Sequence, residues 1–458
     1  MNERLSSSDM SSLLAERGPI HVHVGATILV EGEPGPFEDF LEHVATRLAL
    51  VPRFRQRVTE VPLGLSNPVW TDDPRFDLEW HVRHLALPRP GNMAQLRELV
   101  GRVMSEPLDF TRPLWQLYLV EGVEGGRHAA ISKTHHALVD GVSAVDVGTI
   151  MLDPNPEGTE MEVPAERIDP DEPSPEMLLV RGARDRIRKP LSAARRAALG
   201  AVTMPRETAG RVIKTAEGFT SLAAGGPAAS RMSMNVEIGR DRRVAFAAAS
   251  LDEIKGARGD GDATVNDVIL SVSTGALREF LERRGDPVPD RLVALVPMSI
   301  RRPEEQHDLG NRIATLLVGL PLSERDPRRR LAAIHATTTR LKESEQARAA
   351  SLVIEATGWA LPTINRVLSA AMARPLTWNL VISNVPGPQM PFYLLGNRMR
   401  EVYPFVPLSP QGHALSIGVV SYDGGVFFGL AGDREVLADI DALADAVDAA
   451  IADQVAAG

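Results

Sequence analysis

The chain has no cysteine among its 458 residues. That excludes disulfides, thiolate metal sites and a cysteine nucleophile, and it fits a reducing, cytoplasmic setting. There is no G-x-S-x-G elbow for a serine nucleophile, no G-x-x-x-x-G-K-[ST] phosphate loop, and no G-x-G-x-x-G after a strand. The opening segment, Met1 to Arg17, has no apolar run of signal-peptide length. Two long uncharged stretches, Pro375 to Asn397 and Tyr403 to Tyr422, are interrupted by prolines and polar residues. A membrane span needs about 20 mostly apolar residues without such breaks, so both read as buried strands joined by turns. The formal net charge of −10 argues against a general nucleic-acid binder.

What is present is the composition of an ordinary globular protein with a sizeable core, 44% hydrophobic and 24% charged. Residues 1–152 read as a first mixed α/β unit. Ile20 to Val30 is β-branched and alternating, a strand; Phe37 to Leu50 and Asn92 to Met104 have helical spacing; Leu114 to Val120 and His128 to Thr134 are strands joined by a turn. Residues 153–230 read as a connector. Asp153 to Pro175 is rich in Pro, Glu and Asp, a surface linker, and Arg181 to Lys214 is strongly basic. That basic run is either a solvated connecting helix or an amphipathic helix lying on anionic lipid. Residues 231–458 read as a second α/β unit. Thr264 and Asp267 have the spacing of a capping box opening a helix to about Arg283. Strands are expected at Val244 to Ala248, Leu292 to Met298, Ile313 to Leu320 and Leu376 to Ser383. A hairpin is expected around Asp423-Gly424-Gly425, and a closing helix over Val436 to Val455.

The most specific stretch is Lys133-Thr134-His135-His136-Ala137-Leu138-Val139-Asp140-Gly141. Only 11 histidines occur in the chain, and two adjacent ones sit here between an apolar strand and a helix-like run. Neighbours on an extended segment point in opposite directions, so at most one of the pair faces a given substrate. His21 and His23 share one face of a strand, but no third ligand is evident beside them, and no metal site is assigned. The chemistry left open is a histidine base that takes a proton from a bound hydroxyl and returns it to a leaving group, without a covalent enzyme intermediate.

His135-His136-Ala137-Leu138-Val139-Asp140-Gly141 resembles the active-site motif of the acyl-CoA-dependent acyltransferases related to chloramphenicol acetyltransferase, a superfamily that includes condensation domains of peptide synthetases. Further segments narrow the resemblance: Arg112-Pro113-Leu114-Trp115, the run from Thr264 to Leu270, Val296-Pro297-Met298-Ser299-Ile300-Arg301 and Ser383-Asn384-Val385-Pro386-Gly387-Pro388. Leu5 to Asp9 and His21 to Gly25 match the opening of the same group. In this order they resemble the bacterial wax ester synthase/diacylglycerol acyltransferase family over nearly the whole chain. Ile269 and Ser271 stand where that family often has Val and Ala, and Leu13 or Leu14 where an aromatic is usual.

The resemblance implies an α/β (α+β) fold of two chloramphenicol-acetyltransferase-like domains with the active-site channel between them. It implies acyl-CoA as co-substrate with no further cofactor, and diacylglycerol or a long-chain alcohol as acceptor. A peripheral position on the inner membrane or on lipid droplets is compatible with such acceptors. His136 is then the general base and His135 its support. Asp140 either orients the imidazole or pairs with Arg301, which superfamily precedent favours, and Gly141 lets the chain turn. Asn266 either caps its helix or donates to the acyl or CoA group. Ser383 and Asn384 are oxyanion or thioester contacts, or simply part of a turn. Trp115 is a substrate contact or, as large aromatics more often are, core. Arg301, Arg302 and Arg328 to Arg330 meet the CoA phosphates or water. The alternatives are a related acyltransferase with a carrier- or polyketide-bound donor, and a non-catalytic protein of the lipid-droplet surface.

Overall fold

The computed structural model describes residues 3–16, 18–62, 67–138, 151–159, 177, 229–259, 261–299, 313–343, 378–409 and 412–458. In the first sheet the strands are β1 (His23–Glu31), β4 (Val82–Ala86), β5 (Trp115–Val123), β6 (Arg127–His135), β11 (Tyr393–Leu394) and β12 (Asn397–Phe405), in the order β11-β12-β1-β6-β5-β4. In the second they are β7 (Arg242–Ser250), β8 (Leu292–Ser299), β9 (Ile313–Leu320), β10 (Leu380–Pro386), β13 (Leu415–Tyr422) and β14 (Gly425–Asp433), ordered β7-β14-β13-β10-β8-β9. A small ribbon of β2 (Gln56–Thr59) and β3 (Val69–Asp72) stands apart from both. Each large sheet mixes parallel and antiparallel pairs: β4 runs parallel to β5, and β10 parallel to both β8 and β13.

Local chemistry accounts for most element boundaries. The helix Val265–Arg284 starts at Thr264, whose hydroxyl accepts from the Asp267 amide at 3.2 Å while the Asp267 carboxylate accepts from the Thr264 amide at 2.9 Å. It ends at Gly285, which takes the left-handed φ of 72° that an L side chain resists. The helix Met93–Ser105 starts with the same reciprocal box, made by Asn92 and Gln95. Such caps contribute about 1 kcal/mol each. β13 and β14 form a hairpin closed by Asp423 and Gly424, both at positive φ, as a tight two-residue turn requires.

The halves of the chain exchange elements. β12, from the C-terminal half, pairs antiparallel with β1, from Gly25↔Phe405 to Val30↔Met399. Its other side lies against the second sheet so closely that a Cβ on Gly429 would meet the Pro404 carbonyl oxygen at 1.8 Å. In the reverse direction the helix Met93–Ser105 leans on β7. Gly101 gives it room beside the Arg242 carbonyl, Ser105 Oγ accepts from the Arg242 amide at 2.7 Å, and Arg434 forks onto Glu98 at 3.1 and 3.0 Å. One apolar cluster therefore joins residues from both halves, among them Leu29, Tyr118, Val244, Phe392, Tyr403 and Phe427.

Two expectations are corrected. Asp153 does not open a surface linker: it is buried, paired with Arg47, and bonded through its backbone to Tyr393 in both directions at 2.8 Å. A buried carboxylate persists only when paired, and Arg47 and the Thr159 amide supply that pairing. Arg330 is likewise not a solvated member of its basic run. It is buried against the helix Val265–Arg284, with Nε donating to Ser271 O at 3.0 Å and Ser271 Oγ at 3.2 Å, and the missing side chain of Gly275 makes room for its guanidinium. The basic stretch Arg181 to Lys214 and most of the connector lie outside the described residues. No helix among the described residues is long and apolar enough to cross a membrane.

Candidate active site

β6 is the hinge of the site. It pairs with β1 on one side and β5 on the other, so its whole length is held, and the register sets His135 opposite His23 and Thr134 opposite Trp115. The chain then turns: the Leu138 amide donates to the His135 carbonyl at 2.9 Å. The two adjacent histidines part at this turn. His135 is completely buried, edge-on to the Phe110 ring at 5.7 Å. His136 is half-buried, and its backbone amide donates to Val22 O at 2.9 Å.

The His135 ring is fixed through one nitrogen and sets the other against a carboxylate. Its Nδ1 accepts from the Ala137 amide at 3.0 Å, so that nitrogen carries no proton and Nε2 does. Nε2 lies 2.9 Å from Oε2 of Glu16, which also accepts from the Val22 amide at 3.2 Å. Burial by itself would raise the Glu16 carboxyl, but its contacts with His135 and His21, and the field of His23, hold it well below the ordinary carboxylate range. Burial, with the charge of Lys133, pushes His23 well below its usual value and keeps that ring neutral. Lys133 lies on the same face of β6 as His135, fully buried, its ammonium donating to the carbonyls of Val103 and Glu106. Burial lowers its pKa to about 7.

In the second half of the chain, Asn266 and Asn384 come together. Asn384, in β10, donates its Nδ2 to Asn266 Oδ1 at 3.2 Å, and Asn266 lies in the first turn of its helix. The Nδ2 of Asn266 is buried without a hydrogen-bond partner among the described residues. The neighbouring Asp267, not Asn266, completes the capping box with Thr264, and its carboxylate also accepts from Thr338 at 2.7 Å and contacts His335 Nδ1 at 2.9 Å. Ser383 is half-buried, paired in register with Gly418 of β13. Trp115 is a core residue instead of a substrate contact: its ring stacks on His81 at 4.6 Å and its Nε1 donates to Phe54 O at 2.6 Å. Asp140, Gly141 and Arg301 fall outside the described residues. Glu16 escaped the sequence reading. Its only signal there was a lone acid shortly before the two alternating histidines.

Comparisons with known proteins place the chain in a family. The model of the wax ester synthase/diacylglycerol acyltransferase catalytic domain matches residues 5–269, and that of the C-terminal domain of the same proteins matches residues 309–453. The chain is 33% identical over 466 residues to a protein of Mycobacterium tuberculosis named a probable diacylglycerol O-acyltransferase, covering 99% of this chain and 96% of the relative. A second protein of that name from the same organism is 34% identical over 443 residues, covering 93% of each. Among solved structures, the wax ester synthase/diacylglycerol acyltransferase of Marinobacter aquaeolei is similar with a TM-score of 0.68 and 28% identity, over 98% of both chains. The starter condensation domain of rhizomide synthetase is similar with a TM-score of 0.57 at 15% identity, over 100% of this chain and 95% of that one, a likeness of fold alone.

Proposed function

This chain belongs to the wax ester synthase/diacylglycerol acyltransferase family, and from that premise we propose that it transfers a long-chain acyl group from acyl-CoA to the hydroxyl of diacylglycerol or a long-chain alcohol. The products are triacylglycerol or wax ester and free CoA. The observation that carries this reading is the parting of the two histidines: His135 is locked in the core against Glu16, and the half-buried His136 stands on the turn beyond β6.

In this reading His136 is the general base. It takes the proton of the acceptor hydroxyl as that oxygen attacks the thioester carbonyl carbon. The tetrahedral intermediate collapses, the carbon–sulfur bond breaks, and the proton passes from His136 to the departing CoA sulfur. The reaction balances with acyl-CoA as the donor and no additional cofactor. The developing oxyanion requires donors, and the unpartnered Nδ2 of Asn266, steadied by Asn384, is the group proposed to supply one. Asp140 and Arg301 are proposed as a bidentate strut that shapes the loop after the histidines.

Water-insoluble acceptors call for a lipid surface, and the basic stretch from Arg181 to Lys214 is the segment proposed to meet it. Replacing Arg184, Arg188, Arg195 and Arg196 should weaken binding to anionic vesicles; unchanged binding removes that part of the reading.

The deciding experiment offers the purified protein radiolabelled palmitoyl-CoA with diacylglycerol or hexadecanol in detergent or lipid. Ester product is expected with at least one acceptor. No product with either would sink the reading, and product formed only from an acyl-carrier protein would move it to a carrier-bound donor.

A further inference from the structure

Beside the histidine pair, the N-terminal segment gathers a second set of ligating groups that the acyl-transfer chemistry does not use. His21 and His23 lie two residues apart on the extended run entering β1, so their side chains leave on the same face. The rings are stacked, with centroids 5.1 Å apart and planes within 4° of parallel. Each turns a nitrogen toward one oxygen of Glu16: His21 Nδ1 is 3.5 Å and His23 Nε2 is 3.9 Å from Oε1. These separations exceed the roughly 2.7–3.2 Å of an N–H···O hydrogen bond. Neither ring has a hydrogen-bonded nitrogen among the described residues, although both side chains are more than nine-tenths buried. Buried polar atoms left unpaired in this way are uncommon and call for an explanation.

An ion supplies one. Bonds of about 2.0–2.1 Å in a tetrahedral sphere leave donor atoms about 3.4 Å apart, close to the two spacings seen. The donor atoms of Glu16, His21 and His23 all lie within 4.8 Å of one another, so a modest inward rotation closes the set.

We infer that Glu16, His21 and His23 form a binding site for one divalent transition-metal ion of the zinc class. Two imidazoles and one carboxylate are a common ligand set for such ions. The second carboxylate oxygen accepts from the Val22 amide and faces Nε2 of His135, which leaves Oε1 toward the two histidines. His135 itself is not a ligand, because its Nδ1 accepts from Ala137 and its proton therefore lies on Nε2. Lys133, the cation on this side of the sheet, is directed to the carbonyls of Val103 and Glu106. The role is structural: Val22, between the two histidine ligands, is the residue whose carbonyl receives the His136 amide. An ion here pins the strap against which the motif turns. The inference stands whether or not the acyl-transfer reading holds.

The test uses the full chain purified without a histidine tag, stripped with chelator and titrated with Zn(II) and with Co(II). One zinc per chain by elemental analysis, a visible Co(II) absorption band and a zinc-dependent rise in melting temperature are expected. His21→Gln and His23→Gln should each lose the Co(II) band and the zinc-dependent rise, while His413→Gln, at a buried histidine elsewhere, should keep both. Zinc well below one equivalent with no Co(II) band in the wild-type chain overturns the site even if neither variant folds, as does undiminished binding in folded variants.

Discussion

Nε2 of His135 lies 2.9 Å from Oε2 of Glu16, a contact between the last residue of β6 and the residue that ends the first helix of the chain. It turns one member of the histidine pair away from solvent and makes an N-terminal carboxylate part of the frame on which the other is mounted.

Glu16→Gln tests that frame. An amide keeps an acceptor for the Val22 amide but removes the negative charge set against His135, His21 and His23 in a site that is nearly closed to water. The expected loss is about 1–3 kcal/mol of folding stability, read from the midpoint of denaturant unfolding. Turnover should fall with little change in KM, since Glu16 positions the turn that carries His136 and does not touch the acyl chain in the proposed reaction. An unfolding midpoint equal to wild type contradicts the role given to the carboxylate.

His136→Ala should lower kcat by about 10²–10⁴-fold, the usual contribution of a positioned general base. The half-buried side chain leaves no large cavity when shortened, so the melting temperature should stay near that of wild type. Activity close to wild type in a folded variant eliminates His136 as the base.

Lys133 makes stability depend on pH in the alkaline range. Burial, the dominant effect, penalises its ammonium; Glu106 and Glu16 favour the charge and Arg83 opposes it, leaving a folded pKa of about 7 against an ordinary 10.5. Between these values the unfolded chain holds a proton that the folded chain has released, so the Lys133 contribution to stability rises with pH from about 7 to 10.5. Below that window both states are charged and the burial penalty is complete. Lys133→Met should lack this rise. Melting temperatures of the two proteins measured from pH 6 to 10.5 should therefore converge or cross with increasing pH; parallel curves refute the shift.

Ser271→Ala tests a buried polar junction on the helix Val265–Arg284. The Ser271 hydroxyl donates to Gln454 Oε1 at 2.7 Å and accepts from Arg330 Nε at 3.2 Å, and all three side chains are buried. Alanine removes the hydroxyl and leaves the Gln454 carbonyl without its donor. The expected cost is about 1–3 kcal/mol in equilibrium unfolding. A neutral or stabilising result means that Gln454 and Arg330 re-pair without the hydroxyl.

Much of the fold was legible because its signals are local. The strand read at His128 to Thr134 is β6, Arg127–His135; the capping box at Thr264 and Asp267 opens its helix where expected; and the Asp423-Gly424 turn closes its hairpin. Other features carry no local signal. β12 contains Arg398, Arg400, Glu401 and Pro404, a poor strand by its own composition, and it forms because β1 offers a partner hundreds of residues away. Arg330 reads as one more surface cation until Ser271 and the gap at Gly275 receive it.

By itself, then, the chain of residues determined the strand that carries the two histidines and the impossibility of thiol or disulfide roles. Short-range physics sufficed for these: periodicity, caps and turns act within a few residues, and the histidine motif is contiguous. Only the tertiary structure decided which groups surround the pair. Glu16, His21 and His23 converge on His135 because β1 and β6 pair in a register that sets His23 opposite His135. Asn384 meets Asn266 because β10 brings it to the first turn of the helix Val265–Arg284. Those meetings depend on sheet register and packing between segments distant in sequence, which no local pattern encodes.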